Sequence, residues 1–216
     1  MLTTDSNIEN YILQHIDSEP DNLYQLYRRV NTELLYSRMC SGHLQGRLLK
    51  MLTRMISPKQ VLELGTYAGY SALCIAEGLA DDSCHVDTIE LEDELEEFIC
   101  RAFDESPVGS RIKLHIGDAM LILPKLLEAT SYDMVYIDAN KRHYVEYYNL
   151  LIDNLRSGAF ILADNTLWDG KVADNECHKD AQTQGIIAFN NLIANDVRVE
   201  KVILPLRDGL TLIYKK

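Results

Sequence analysis

Asp138 and the adjacent pair Asp164-Asn165 each stand immediately after a short apolar run, Tyr132 to Ile137 (YDMVYI) in one case and Ala159 to Ala163 (AFILA) in the other. Both runs are rich in β-branched and aromatic residues and bounded by turn formers, so each reads as a buried strand. As neighbouring parallel strands they would bring two carboxylates and an amide to one carboxyl edge, where open α/β sheets hold their ligands. Two hard carboxylates with a neutral amide oxygen suit Mg²⁺, Mn²⁺ or Ca²⁺ rather than zinc. The plainer reading is that Asp138 starts a turn and Asp164-Asn165 caps a helix. Lys141 lies one helical turn beyond Asp138, within reach of a proton on anything held there. Its plainer reading is a solvated lysine beside Arg142.

A second constellation lies in Val61 to Ala72 (VLELGTYAGYSA), an apolar strand that runs into a glycine-punctuated turn and then a helical pattern. Gly65 permits a tight turn and close approach of a ligand to bare backbone, and Gly69 stands where a helix begins packing on the strand. The spacing is neither the dinucleotide pattern G-x-G-x-x-G nor a P-loop with its Lys and Ser/Thr. About 25 residues after Gly65, a second strand pattern, His85 to Leu91, carries Glu90 at its end, the position from which a carboxylate binds ribose hydroxyls. Against this, Glu90 also opens the acidic run Glu90-Leu91-Glu92-Asp93-Glu94, where an ordinary solvated acid is unremarkable.

These segments carry a resemblance. E-x-G-x-x-x-G followed by a strand-terminal acid resembles the first motifs of class I S-adenosylmethionine-dependent methyltransferases. Asp138-Ala139-Asn140-Lys141 and Asp164 to Val172 (DNTLWDGKV) look like the metal-dependent O-methyltransferases that include the catechol and caffeoyl-CoA enzymes, bacterial members above all. The similarity runs from about Met39 to the carboxyl terminus, with its motifs in the right order. It implies a cofactor site of Met39, Glu63, Gly65, Thr66, Ser71, Glu90, Asp118, Ala119 and Asp138, in which Asp118 and Ala119 face the adenine and Met39 helps wall the pocket. Core filling for Met39 and a helix cap for Asp118 are the ordinary alternatives. It also implies a metal site of Asp138, Asp164 and Asn165, catalytic roles for Lys141 and Asp138, a catechol-like acceptor and a homodimer.

Methyl transfer to a hydroxyl needs an ionised, aligned oxygen about 3 Å from the sulfonium methyl and a site closed to water. A phenol, with a pKa near 10, is mostly protonated at neutral pH. A divalent ion holding two adjacent acceptor oxygens would favour the ionised form, and Lys141 would take the proton. Two departures from the plant caffeoyl-CoA enzymes stand out: Asn140 replaces an acid, and their substrate-binding insertions are missing. Some bacterial relatives methylate 5-hydroxyuridine in tRNA, which makes tRNA an alternative acceptor. A noncatalytic nucleotide-binding module is a third reading, disfavoured by the joint presence of cradle acid, metal trio and lysine. The glycine spacing and the trio also argue against a dehydrogenase. Trp168 could wall a planar substrate and Asp169 could lie near the metal, while Lys171 to Gln184 reads as the loop that sets specificity.

The elements that must position these groups are expected to form a doubly wound, Rossmann-like α/β sheet, mostly parallel, for which the resemblance implies seven strands. Helices cover both faces, and one strand near the carboxyl terminus is reversed. Ile8 to Ile16 and Asn22 to Tyr36 have helical spacing, and Ser41 could cap a helix carrying Leu44, Leu48, Leu52 and Met55 on one face. The resemblance implies that these helices, within residues 1–56, cover the active site. Glu92 to Ala102, Met120 to Ala129 and His143 to Leu155 read as helices and Ile112 to Ile116 as a third strand. Val199 to Leu204 and Leu210 to Lys215 flank Arg207-Asp208-Gly209 as a terminal hairpin.

With 216 residues, 47% hydrophobic and 25% charged, the chain suits a single domain spanning 1–216. No apolar run approaches membrane-span length and Met1 to Glu19 is too polar for a signal peptide, so a cytosolic protein without a membrane partner is expected. Five scattered cysteines, Cys40, Cys74, Cys84, Cys100 and Cys177, fit reduced thiols. The net charge of -12 repels nucleic-acid backbones on average and makes tRNA the less favoured partner.

Overall fold

The segments that lead to the two constellations are strands of one sheet. The computed structural model describes residues 6–174 and 180–216, so Cys177, the start of the amino-terminal segment and the middle of Lys171 to Gln184 lie outside the described residues. The chain forms two compact units, one ending at Ala119 and one beginning at Met120.

The first unit runs α1 (Ser6–His15), α2 (Asp21–Glu33), α3 (His43–Ile56), β1 (Gln60–Leu64), α4 (Tyr70–Gly78), β2 (His85–Glu90), α5 (Glu96–Asp104) and β3 (Ile112–Ile116). Leu64 of β1 lies level with Ile89 of β2, and Glu90 with Ile116 of β3. The residues after these strands therefore share one edge.

The second unit continues with α6 (Ala119–Ala129, starting at the boundary), β4 (Met134–Ile137), α7 (Tyr144–Asn154), β5 (Phe160–Asp164), α8 (Ala181–Asn195), β6 (Val199–Leu204) and β7 (Leu210–Lys215). Ile137 of β4 lies opposite Ala163 of β5, and Asp164 opposite Leu210 of β7. Strand order is β3-β2-β1-β4-β5-β7-β6, with six strands parallel and β7 reversed. All of β4 is buried and all but the first residue of β1, as expected of parallel strands covered on both faces. β6 ends the order, mostly exposed, and its Glu200 and Lys201 discourage pairing with a further strand. Among the described residues, no helix is long and apolar enough to cross a membrane.

Several helices depart from their sequence patterns. α2 stops at Glu33, and Leu34 is extended. Gly42 rather than Ser41 occupies the cap position of α3, and the buried stripe of that helix is Gln45, Gly46, Leu49 and Thr53. Met55 is exposed, and Leu44, Leu48 and Leu52 are only partly covered. The reason is close packing on α4: a Cβ on Gly46 would meet Cys74 Sγ at 2.7 Å and Tyr70 Cε1 at 2.9 Å. The smallest residue therefore faces inward, and the leucine stripe turns aside. α8 begins at Ala181, inside the stretch expected to be loop, because Asp180 accepts from the backbone N–H groups of Gln182 and Thr183 at its N-cap.

Candidate active site

At the edge of the first unit, three positive φ angles in five residues shape the turn after β1: Gly65 at 96°, Tyr67 at 50° and Gly69 at 81°. Backbone N–H groups of Gly65 and Thr66 both donate to Ile89 O, at 3.0 and 3.2 Å. A Cβ at Gly69 would meet the Phe103 ring at 2.6 Å. Tyr67 N–H donates to Glu90 Oε2 at 2.6 Å, and Glu92 N–H to Oε1 at 3.0 Å. Glu90 is buried and held at both oxygens, unlike a solvated acid, and each oxygen keeps a lone pair for a further donor.

Glu63 and Thr66 lie beneath this turn. Both are buried; the Thr88 hydroxyl donates to Glu63 Oε2, and Thr66 Oγ1 lies 2.6 Å from Thr88 Oγ1. Ser71 is buried in the first turn of α4, whose N-terminus opens at the cradle. Asp118 is exposed and Ala119 buried, directly after Gly117, whose N–H donates to Glu90 O at 2.7 Å. Met39 sits in a short 3-10 turn, Ser37–Met39, with 58% of its surface exposed, so it does not fill a core.

The edge of the second unit gathers Asp138, Lys141, Asp164 and Asn165. Asp164 ends β5 and is buried. Its Oδ1 accepts from Asn165 N–H at 2.8 Å and its Oδ2 from the Tyr136 hydroxyl at 2.9 Å. Asn165 adopts the left-handed region at φ 57°, which asparagine tolerates. Lys141, buried, donates from Nζ to Asp138 Oδ1 at 2.6 Å. Asn140 caps the 3-10 turn that carries it, accepting from Arg142 N–H. A Cβ on Gly185 of α8 would strike Lys141 O at 2.3 Å, so only glycine lets α8 press on that turn. Burial pushes the Asp138 carboxyl above its usual range, and Asp164 pushes it further, while Lys141 and Arg207 pull the other way.

Three features here carry no chemical signal in the sequence. Tyr136 falls there in a buried strand and Tyr144 in a helix, yet their hydroxyls bond the acid edge; that of Tyr136 lies 2.9 Å from Asp164 Oδ2, and that of Tyr144 3.1 Å from both Ile137 O and Asp164 O. Arg207 reads as a turn residue. Its turn is clamped to the segment after Asn165, with Thr166 N–H donating to Gly209 O at 3.1 Å and Leu167 N–H to Asp208 O at 2.7 Å. Trp168 and Asp169 follow at φ 46° and 56°, and the Lys171 ammonium stands 5.9 Å from the Trp168 ring centre. Among the described residues, no three His, Cys, Asp or Glu side chains converge as a metal set; Asp138 and Asp164 supply two acids and Asn165 an amide.

The chain as a whole is similar to known proteins. A family model described as O-methyltransferase matches residues 14–216. Caffeoyl-CoA O-methyltransferase of Petroselinum crispum is 34% identical over 203 residues, covering 90% of this chain and 83% of that one. Caffeoyl-CoA O-methyltransferase 5 of Nicotiana tabacum is 30% identical, covering 90% and 84%. Among solved structures, the O-methyltransferase TomG of Streptomyces achromogenes, in complex with S-adenosylmethionine, superposes with a TM-score of 0.89 at 29% identity over 97% of this chain and 96% of that one. The methyltransferase PaMTH1 of Podospora anserina, bound to S-adenosylhomocysteine, gives 0.90 at 27% identity over 100% and 98%.

Proposed function

For this chain, which belongs to the O-methyltransferase family and is an S-adenosylmethionine-dependent enzyme, we propose methyl transfer to one hydroxyl of a catechol-like small molecule held at a divalent cation. The observation that carries this reading is the acid edge of the second unit. Asp138 directly follows β4 and Asp164 ends β5, the two strands parallel and in level register, and burial raises the Asp138 carboxyl, with Asp164 adding to the rise against the pull of Lys141. Two like charges, one buried and one partly buried, are relieved by a cation. Carboxylate and amide oxygens suit Mg²⁺ first, with Mn²⁺ or Ca²⁺ as alternatives. Asp138, Asp164 and Asn165 would hold the ion, which when bound favours the ionised form of an acceptor hydroxyl.

Lys141 does the proton work in this reading. Its Nζ exchanges Asp138 Oδ1 for the acceptor hydroxyl and, in the uncharged form, takes the proton from that oxygen. Burial of the lysine limits competition from water. In the first unit Glu90 holds the ribose, Asp118 and Ala119 flank the adenine, Met39 walls the pocket, and Glu63, Thr66 and Ser71 shape the turn and helix start around the methionine portion. The names of the relatives support a hydroxylated aromatic acceptor. A homodimer in the cytosol is the assembly and compartment we assign.

The test of the acceptor is direct. Radiolabelled methyl transfer from S-adenosylmethionine with Mg²⁺ should label vicinal diphenols in a panel and leave purified tRNA unlabelled. Labelling of tRNA alone would overturn the small-molecule assignment.

A further inference from the structure

Tyr136 presents a question of chemistry in a place of packing. Its neighbours in β4 are Met134, Val135 and Ile137, and every residue of the strand is buried. Phenylalanine would fill the same space with no polar atom to satisfy, whereas a buried hydroxyl costs free energy unless it finds a partner. The partner is Asp164 Oδ2, at 2.9 Å. Asn165 N–H reaches Oδ1 of the same carboxylate at 2.8 Å. Two donors on two oxygens fix the plane of the carboxylate.

Tyr144 acts on the backbone that carries the acids. One hydroxyl lies 3.1 Å from Ile137 O, just before Asp138, and 3.1 Å from Asp164 O. It thereby ties the ends of β4 and β5 together at a set spacing. Its ring lies 5.2 Å from Lys141 Nζ and packs edge-on against Phe189 at 5.5 Å, so the phenol has little freedom to leave.

We infer that Tyr136 is a positioning residue for the divalent cation, orienting the Asp164 carboxylate from behind while Tyr144 holds the spacing of the two acid-bearing strand ends. This rests on the cation reading given under Proposed function. A buried group that orients a metal carboxylate typically changes metal affinity by roughly 10- to 100-fold when lost.

The molecule supplies a matched control. Tyr148 of α7 is also fully buried, and its hydroxyl also donates to a carboxylate oxygen, Asp196 Oδ2, at 2.9 Å. Asp196 is not among the proposed ligands. The measurement is direct Mn²⁺ binding to the purified protein, by calorimetry and by the electron paramagnetic resonance signal of free Mn²⁺. Tyr136→Phe should weaken Mn²⁺ by about 10- to 100-fold and leave S-adenosylhomocysteine affinity unchanged, while Tyr148→Phe should leave both unchanged. Should Tyr136→Phe fail to fold, Tyr144→Phe carries the test, with Mn²⁺ weakened by about tenfold or more. Loss of Mn²⁺ binding in Asp164→Ala together with wild-type affinity in Tyr136→Phe overturns the inference alone. Full Mn²⁺ affinity in Asp164→Ala, or none in the wild type, removes the cation reading and the inference with it.

Discussion

Nζ of Lys141 stands 2.6 Å from Asp138 Oδ1, and a cation that only balanced this acid could as well be arginine. A base could not, because guanidinium does not give up its proton. In Lys141→Ala, turnover should fall by roughly 10² to 10⁴, with partial recovery as pH rises and the acceptor ionises unaided. Binding of S-adenosylhomocysteine should change little. Lys141→Arg should not rescue turnover; an arginine variant matching wild type from about pH 6 to 9 would make the residue an electrostatic or structural cation. At the other edge, Glu90→Ala should weaken S-adenosylhomocysteine by about 1 to 3 kcal/mol, read by calorimetry, because the variant loses the proposed ribose acceptor and the partner of Tyr67 N–H and Glu92 N–H. Unchanged affinity would move the ribose elsewhere. The acids were legible because two apolar runs that pair as parallel strands bring the carboxylates directly after them to one edge. Tyr136, Tyr144, Arg207 and Gly185 were not. A tyrosine in a buried strand looks like packing until its hydroxyl's partner is placed, and a glycine shows a close approach only once the opposing helix is in position.

At the scale of elements, strands were easier to read than helix faces. A strand buried on both faces declares itself by an unbroken apolar run, as β4 does. The terminal hairpin carries the same bounds in sequence and structure, since Arg207-Asp208-Gly209 separates two β patterns. A helix face is set by its neighbour. α3 turned Gly46, rather than Leu44, Leu48 and Leu52, toward α4, because the space left by Cys74 and Tyr70 admits nothing larger there. α8 was missed because its start lies in a polar stretch and is fixed by the Asp180 cap. The turn between β1 and α4 gives the element-scale prediction. Gly69 has φ 81° and would drive a Cβ into Phe103, so Gly69→Ala adds backbone strain to a clash. The expected cost is about 1 to 3 kcal/mol, seen as a lower urea midpoint together with weaker S-adenosylhomocysteine binding. A variant as stable and as tightly binding as wild type would show that the turn does not need its left-handed conformation.

For the whole molecule, two compact units and one strand order that includes both raise the question of cooperativity. The proposal of a single domain predicts one calorimetric transition with equal calorimetric and van't Hoff enthalpies; two separable transitions would contradict it. Much of this scale was visible in the sequence, because alternating strand and helix signals with carboxylates at strand ends leave few foldings other than a doubly wound sheet. Nothing in the order of residues reports how many units of cooperativity the chain forms, since that depends on contacts distant in sequence. Chemistry at this scale reduces to whether the acid edge works through a cation. The decisive measurement follows radiolabelled methyl transfer from S-adenosylmethionine to a vicinal diphenol, with protein stripped by EDTA and then resupplied with Mg²⁺ or Mn²⁺. Transfer should cease on chelation and return with either ion, and Asp164→Ala should stay folded and nearly inactive under both conditions. Full turnover in excess EDTA would contradict the account.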